Sequence, residues 1–577
     1  MASPINPSTK SLTERGHAQV RPTTTTATGK WATKSPKGLF AMRELNAGCE
    51  IFGVERCFVA VLSKGMVGDH CGNCYRGPDG VGNTDGEQFE VKACTGCKQV
   101  WYCGKKCQAE AWKRSHKFEC RKWDDPEEPT QPKNRDHIVR AATELLWRWH
   151  KGSISQSEWD SFQDLKSNYD LFSKETRIGF GKKTEFDRKE QADKLGELTW
   201  RHTTFDRMKK SPFTREQAVR LIALLQTNSL TLIAPSYDPI GIALDPFAAR
   251  ANHSCSPNAY VVMDGPSLSF RTLKPIPKDS EIFISYIDPT DSTKSRLDEL
   301  ATRYYFNCNC TKCRQAPGRE DKFSEPMPVV SKAIYAMYER PNFHDILQQA
   351  KQTQTDGDRL VEELIFATEK NFQLYLRGDP DRDEPIQLST ALRGEAAFMK
   401  NQNLMCILKD TGVWPEIRQP YPALRHQYFL GCLSLNKYSD AFYHGLKTYF
   451  DIDPKLYPVP YHPLRVVHTF SLSRLAMVLV MEATECPEID PAGIIEFARQ
   501  QGYDFAPMVY KLIKDAKDNV VKSHGENNSF TKMVNEKWEE VITDMGLKDE
   551  RRRRALESVY ESNVPFYRKL VGELVGF

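Results

Sequence analysis

The sequence predicts an α+β multidomain protein with a β-rich core in its first half and an all-helical second half. Three observations carry this. Between Gly241 and Asp288, two β-favouring runs flank Asp264-Gly265, a hairpin signal. Upstream, Cys71 to Cys120 holds closely paired Cys and His residues, and from about Glu325 to Phe577 the chain reads helical throughout. At 577 residues the chain is too long for one hydrophobic core, and about three or four domains are expected.

In chain order, residues 1–30 are rich in Thr, Ser and Pro and contain no apolar h-region, so they read as a disordered tail and not as a signal peptide. Residues 31–70 alternate apolar and polar side chains around Gly38 and Gly48, as short strands and turns do. The Cys/His module occupies 71–120, closed by a polar, Pro-containing link that begins at Asp124. Within 121–235, apolar residues at 138, 141, 142, 145, 146 and 149 have helical spacing. Ala218 to Leu225 repeats the pattern, with Thr214 as its N-cap, while the charged stretch between the two has no assignment. A strand-rich core over 236–290 is followed by a cysteine segment at 291–320 and a helical array over 321–577. In that array, Tyr428 to Tyr449 has Gly431, Tyr438 and Ala441 spaced like a tetratricopeptide (TPR) helix pair, without a clean repeat of about 34 residues.

Bulk composition excludes several classes of function. The 80 basic and 76 acidic residues leave a net charge of +4, so no global field argues for nucleic acid or an anionic membrane. No apolar run approaches the length of a membrane span; Phe470 to Met481 is the most apolar stretch, and Arg474 interrupts it. Most of the 16 cysteines sit in close pairs, which in a reducing compartment read as zinc ligands. Cys49, Cys57, Cys406, Cys432 and Cys486 fall outside the pairs and read as buried, inert thiols. The expectation is a protein of the nucleus and/or cytoplasm, monomeric and without a membrane contact. Arg551 to Arg554 is either an import patch or, between acidic neighbours, a solvated helix face.

The metal chemistry follows from spacing. Cys71-x2-Cys74, Cys94-x2-Cys97, Cys103-x3-Cys107 and His116-x3-Cys120 supply eight ligands, enough for two closed tetrahedral Zn(II) sites. So few aliphatic residues accompany them that metal binding must supply the folding free energy of the module. Downstream, Cys308, Cys310 and Cys313 offer three thiolates, one short of a closed site, and Cys255 is the natural fourth. That third zinc would staple the segment carrying Tyr304 and Phe306 onto the strand-rich core.

The first module resembles a MYND zinc finger, which implies an interleaved pairing that spacing alone leaves open. Cys71, Cys74, Cys103 and Cys107 would hold one zinc, and Cys94, Cys97, His116 and Cys120 the other. Lys98 to Lys122 carries eight Lys/Arg against two Glu. MYND fingers typically bind proline-containing peptides, and a basic surface also suits nucleic acid. With Asn252-His253-Ser254-Cys255, the run Glu281 to Tyr286 and the Cys308–Cys313 tail, the whole chain resembles the SET and MYND domain (SMYD-type) protein lysine methyltransferases, as a divergent, fungal-like member. The resemblance implies a β-rich SET domain split by the finger and a helical insert, then a TPR-like helical domain.

It also implies an S-adenosylmethionine site. Asn252 and His253 would hold the cofactor's amino-acid and adenine ends. Asn228 matches the Asn of a family Asn-Ser-Phe-Thr-Ile stretch that contacts the cofactor. Tyr286 matches the tyrosine at the methyl-transfer centre, also touching cofactor; Tyr304 matches a second pocket tyrosine, and Phe306 an aromatic that packs over the cofactor. Lys37, Gly38 and Leu39 match the cofactor loop, although Pro36 stands where the family has its first glycine. The expected activity is transfer of a methyl group to a lysine of a histone or another protein. The alternative is a catalytically weak or inactive scaffold that binds proline-containing peptides or chromatin proteins. Asn252, Tyr286, Tyr304 and Cys255 favour the enzyme, and Pro36 favours the scaffold.

Overall fold

A computed structural model describes residues 13–23, 37–78, 89–120, 136–172, 174–179, 182–203, 211–235, 237–315, 402, 405–406, 416–482 and 493–574. It is a mixed α/β protein with a Cys/His finger and a helical C-terminal region. Five short strands form the first sheet in the order Glu14–Arg15, Ala18–Pro22, Lys37–Ala41, Glu281–Ile284, Asn252–His253. Neighbours are antiparallel except the last two, which run parallel. The second sheet is Leu230–Ile233, Pro239–Leu244, Val59–Leu62, and the third is Ala259–Asp264, Ser267–Thr272, Glu50–Val54. The hairpin expected at Asp264-Gly265 is present, with Asp264 opposite Ser267 and Gly265 in the left-handed region at φ 58°.

The sheets share one core, in which Phe52 stacks on Phe270 and meets Phe247 edge-on, beside Leu39, Ile282 and Ile284. Val59–Leu62 is apolar at every position because it is covered on both sides. Ala60 and Leu62 enter this core, while Val59 and Val61 enter a second one built by the helical insert. The helices His137–His150, Gln156–Gln163, Arg188–His202 and Arg215–Asn228 supply that second core, and a capping box at Thr214 starts the last. The stretch without an assignment thus holds two helices and the hairpin Lys174–Gly179/Lys182–Asp187.

Three expectations need correction. Residues 13–23 do not belong to a disordered tail: Ala18–Pro22 pairs over its whole length with Lys37–Ala41, and Ala18 is fully buried. The Thr, Ser and Pro residues on either side of it hide a strand only five residues long. Second, the helix Pro463–Glu482 is long and apolar enough over Pro463–Val480 to cross a membrane by length and composition. Its Val466, Val467, Phe470, Leu475 and Leu479 are instead buried among neighbouring helices, with Arg474 on the exposed side, so it is a core helix. Third, of the four unpaired cysteines among the described residues, Cys57 and Cys432 are buried, but Cys49 is half-buried and Cys406 exposed. Cys486 lies outside the described residues, as do Ser35 and Pro36.

From residue 416 onward every described element is helical, from Tyr421–Ser434 and Tyr438–Lys447 to Glu550–Leu574. Two charged side chains of the third sheet hold this region in place. Arg271, buried, donates to the carbonyls of Gly48, Val521 and Lys522, the last two in the final turn of the helix Ala506–His524. Asp264 accepts from the backbone N–H and hydroxyl of Ser529, which opens the helix Ser529–Asp544. A cation thus meets the carbonyls that end one helix and an anion meets the N–H that opens the next. Arg551 to Arg554 lie in the last helix, where Arg554 pairs with Glu550 and Arg553 donates to the Leu547 carbonyl: a solvated face that caps the preceding chain.

Candidate active site and metal centres

The strand Glu281–Ile284 organises the site because it is flanked by Lys37–Ala41 on one side and Asn252–His253 on the other. Three segments remote in sequence therefore meet along its length. Asn252 sits opposite Phe283 and His253 opposite Ile284, and Leu39 pairs with Ile282. Asn252 Nδ2 donates to Glu281 Oε1 at 2.6 Å and to the Lys37 carbonyl at 3.2 Å, tying all three together.

Beyond the strand lies an aromatic cluster. The Tyr286 ring is 4.9 Å from Tyr304, 5.3 Å from His253 and 6.5 Å from Phe306, centroid to centroid. Tyr286 Oη donates to the Ala251 carbonyl at 2.7 Å, its backbone N–H donates to His253 Nδ1 at 3.0 Å, and Tyr304 Oη donates to the Tyr286 carbonyl at 3.3 Å. Burial pushes the Tyr286 phenol upward, and neighbouring Tyr304 and Glu281 add to this, so Tyr286 is a neutral hydroxyl at physiological pH. Tyr305, held at φ 60°, points its ring away onto Phe172 and leaves Tyr304 and Phe306 on the cluster side.

The third cysteine group forms the floor of this cluster. Cys255, Cys308, Cys310 and Cys313 bring their sulfurs within 4.8 Å of one another. Cys255 Sγ lies 3.9 Å from Cys308 Sγ and 3.5 Å from Cys313 Sγ. A tetrahedral zinc with Zn–S bonds of about 2.3 Å requires sulfur–sulfur edges of about 3.8 Å, so the donor set fits Zn(II). His253 Nδ1 accepts a backbone N–H, which leaves the ring proton on Nε2, 3.2 Å from Cys255 Sγ. The imidazole thus links the Cys255 thiolate to the Tyr286 main chain.

In the finger, Cys71, Cys74, Cys103 and Cys107 form one group and Cys94, Cys97, His116 and Cys120 the other, the interleaved pairing. Cys74–Cys103 and Cys94–Cys120 are both 3.7 Å apart, again one tetrahedral edge. Burial pushes the His116 imidazole down to about 4, so it is neutral and ready to ligate.

Asn228 closes the helix Arg215–Asn228, and its amide donates to the carbonyls of Lys166 and Leu224. That contact reveals a segment the sequence reading missed. Asp164 accepts from Lys37 Nζ at 2.7 Å and from Arg250 at 3.1 Å, while Asn168 donates to the Tyr304 carbonyl at 3.4 Å. Burial opposes ionisation of Asp164, but Lys37 and Arg250 prevail and hold its carboxyl below the usual value. Asp164 therefore bridges the Lys37–Leu39 strand and the Asn252 run. The only local signal for it was the capping box at Ser155, which begins the helix that Asp164 ends.

A zinc-finger protein whose split sheet brings a Gly–Asn–Glu contact beside a zinc-backed aromatic cluster is thus defined by fold and site. The MYND finger family matches residues 69–120. The chain is 26% identical over 287 residues to human histone-lysine N-methyltransferase SMYD3, covering 49% of this chain and 61% of that protein. It is 27% identical over 311 residues to Arabidopsis thaliana histone-lysine N-methyltransferase ASHR1, covering 53% and 57%, and 26% identical over 295 residues to the Gallus gallus N-lysine methyltransferase SMYD2, covering 50% and 59%. The chain is a divergent relative of the SMYD-type proteins with a MYND finger, and it spans less than two thirds of the length of these relatives.

Proposed function

We propose that this protein is an S-adenosylmethionine-dependent protein-lysine N-methyltransferase acting on histone or other protein lysines. The observation that carries the reading is the packing of Tyr286 and Phe306 on His253, with Tyr304 against Tyr286, beside Asn252, whose amide reaches the Lys37 carbonyl next to Gly38. The relatives' names, all histone-lysine or N-lysine methyltransferases among those quoted, favour the enzyme over the scaffold. In this reading a SET domain is split, its N-terminal part reaching back to the strand Ala18–Pro22 and running to residue 70. It resumes over 236–290, after the finger at 71–120 and the insert at 121–235. A zinc segment at 291–320 and a TPR-like helical domain over 321–577 complete it.

The fit to the cofactor rests on this chain's own contacts. A Cβ built on Gly38 would stand 2.3 Å from Glu281 Oε1 and 2.8 Å from Asn252 Nδ2, so any side chain there must displace the Asn252–Glu281 pair. Lys37, Gly38, Leu39, Asn252 and His253 would hold the cofactor, with Asn228 at the rim and Phe306 packed over it. Because the His253 ring is engaged with Cys255 and Tyr286, its share falls to the main chain. The cofactor supplies an electrophilic methyl group on a sulfonium.

The residues do the rest by positioning. A free lysine, with a pKa of about 10.4, is mostly protonated and unreactive at neutral pH. A half-buried aromatic cluster disfavours the ammonium and so favours the reactive amine. Tyr286, kept a neutral hydroxyl by burial, and Tyr304 orient the amine, and their ring faces suit the lysine stem. Alignment of this kind supplies several kcal/mol without a carboxylate base. We further infer a monomer of nucleus and/or cytoplasm, with the basic finger as a docking site for proline-containing peptides or nucleic acid.

The test is incubation of the purified, zinc-replete chain with methyl-labelled S-adenosylmethionine and core histones or cell extract, beside Asn252→Ala and Tyr286→Phe. Label on lysine from the wild type, lost in both variants, is the expected result. No labelled lysine in any fraction contradicts the reading.

A further inference from the structure

Glu281 and Thr23 have no assigned role, yet their contacts single them out. Glu281 is almost completely buried at the start of the central strand. Its Oε1 accepts from Asn252 Nδ2 at 2.6 Å, and its Oε2 accepts from the Thr23 hydroxyl at 2.6 Å. Thr23 follows directly on the strand Ala18–Pro22, 258 residues away in sequence. Both hydrogens of the Asn252 amide are engaged, one by this carboxylate and one by the Lys37 carbonyl. Those partners accept only, so the amide has one orientation: nitrogen inward and Oδ1 outward. A buried carboxylate held 2.6 Å behind an amide also polarises it, which makes the outward oxygen a stronger acceptor for a cation.

We propose that Glu281, itself fixed by Thr23, is the positioning residue that sets Asn252 to receive the α-ammonium group of the cofactor. This rests on the cofactor reading above, which gives Asn252 the amino-acid end, and adds to it the residues that fix how Asn252 meets that end. It also gives the N-terminal strand a task in the site, because Thr23 closes the second oxygen of Glu281. A water in place of that hydroxyl would leave the carboxylate free to rotate away from Asn252.

The experiment uses the full chain with its zinc bound and compares two probes by calorimetry. S-adenosylhomocysteine carries the ammonium, and 5′-methylthioadenosine lacks the whole amino-acid portion. In Glu281→Gln the charge is lost, and in Thr23→Val the clamp on Oε2 is lost. Affinity for S-adenosylhomocysteine should fall roughly tenfold or more in Glu281→Gln and about threefold in Thr23→Val, as expected for charge-assisted hydrogen bonds. Affinity for 5′-methylthioadenosine should stay the same in both, and Thr23→Ser should restore wild-type binding. An equal loss for the two probes would show a merely structural role and overturn the proposal, as would unchanged S-adenosylhomocysteine binding in both variants. If the wild type binds neither probe, the cofactor reading itself falls and this proposal with it.

Discussion

Gly38 condenses the residue-scale argument. Its φ is unremarkable, so backbone freedom is not why glycine is needed; the requirement is space beside Glu281 and Asn252. Gly38→Ala forces a methyl into contacts of 2.3 and 2.8 Å with two side chains that hold each other. Overpacking of this kind costs about 1–3 kcal/mol, taken here from the Asn252–Glu281 pair, so the variant should melt lower and bind S-adenosylhomocysteine at least about tenfold more weakly. Wild-type affinity in Gly38→Ala would mean that the cofactor does not lie against this backbone. At this scale the sequence was legible wherever chemistry demands a residue type in a pattern. The twelve residues of the three Cys/His groups follow from their close spacing, while the roles proposed for Tyr286 and Asn252 rest on the family resemblance. Thr23 and Asp164 were not legible, since they work through contacts to residues far off in sequence, 258 positions away for Thr23 and 127 and 86 for Asp164, and no local pattern records them.

At the scale of elements, the Cys308–Cys313 segment is too short and polar to hold its own position. Its helix Thr311–Arg314 has four residues, and its anchoring falls to the metal. Tyr304 and Phe306 immediately precede it, so a zinc held by Cys255, Cys308, Cys310 and Cys313 would brace the aromatic cluster. Cys308→Ser should lower the zinc content from three ions per chain to two, reduce stability by at least about 3 kcal/mol and abolish methyl transfer. Metal analysis beside a melting curve checks this; three ions per chain and an unchanged melt would remove the third site. Long elements such as His137–His150 were legible because an amphipathic helix repeats its apolar stripe several times. Ala18–Pro22 was not, because five residues with one fully buried side chain carry almost no period, and the pairing partner decides the conformation.

At the scale of the whole molecule, the helical region is fastened to the third sheet by Arg271 and Asp264, and a buried histidine lies beside the fastening. His524, 4% exposed, packs on Phe530 and Tyr237. Burial, aided by the Arg271 charge, pushes its imidazole down to about 3. The native state therefore refuses a proton that the unfolded chain accepts once pH drops below about 6.5. Stability from this group is complete above that pH and is lost progressively as pH falls toward 3, by up to about 1.4 kcal/mol per unit. Between pH 6.5 and 5.0 this amounts to about 2 kcal/mol, and His524→Leu should recover it relative to wild type in denaturant titrations. His426, His444 and His462 shift in the same direction, so the variant flattens the curve without abolishing it. An identical pH dependence in His524→Leu would rule out this coupling. None of it was legible in the sequence, where His524 is one of 13 histidines and its burial depends on how two regions dock.

Tyr286→Phe tests most directly whether the tyrosine pair beside the third cysteine group is the place of lysine methylation. The substitution keeps the ring and its packing against Tyr304, His253 and Phe306 and removes only the hydroxyl that binds the Ala251 carbonyl. Methyl transfer to lysine by this variant, measured with its three zinc ions confirmed and S-adenosylhomocysteine binding intact, should fall by about 100-fold or more. Transfer at the wild-type rate would place the chemistry elsewhere in the molecule.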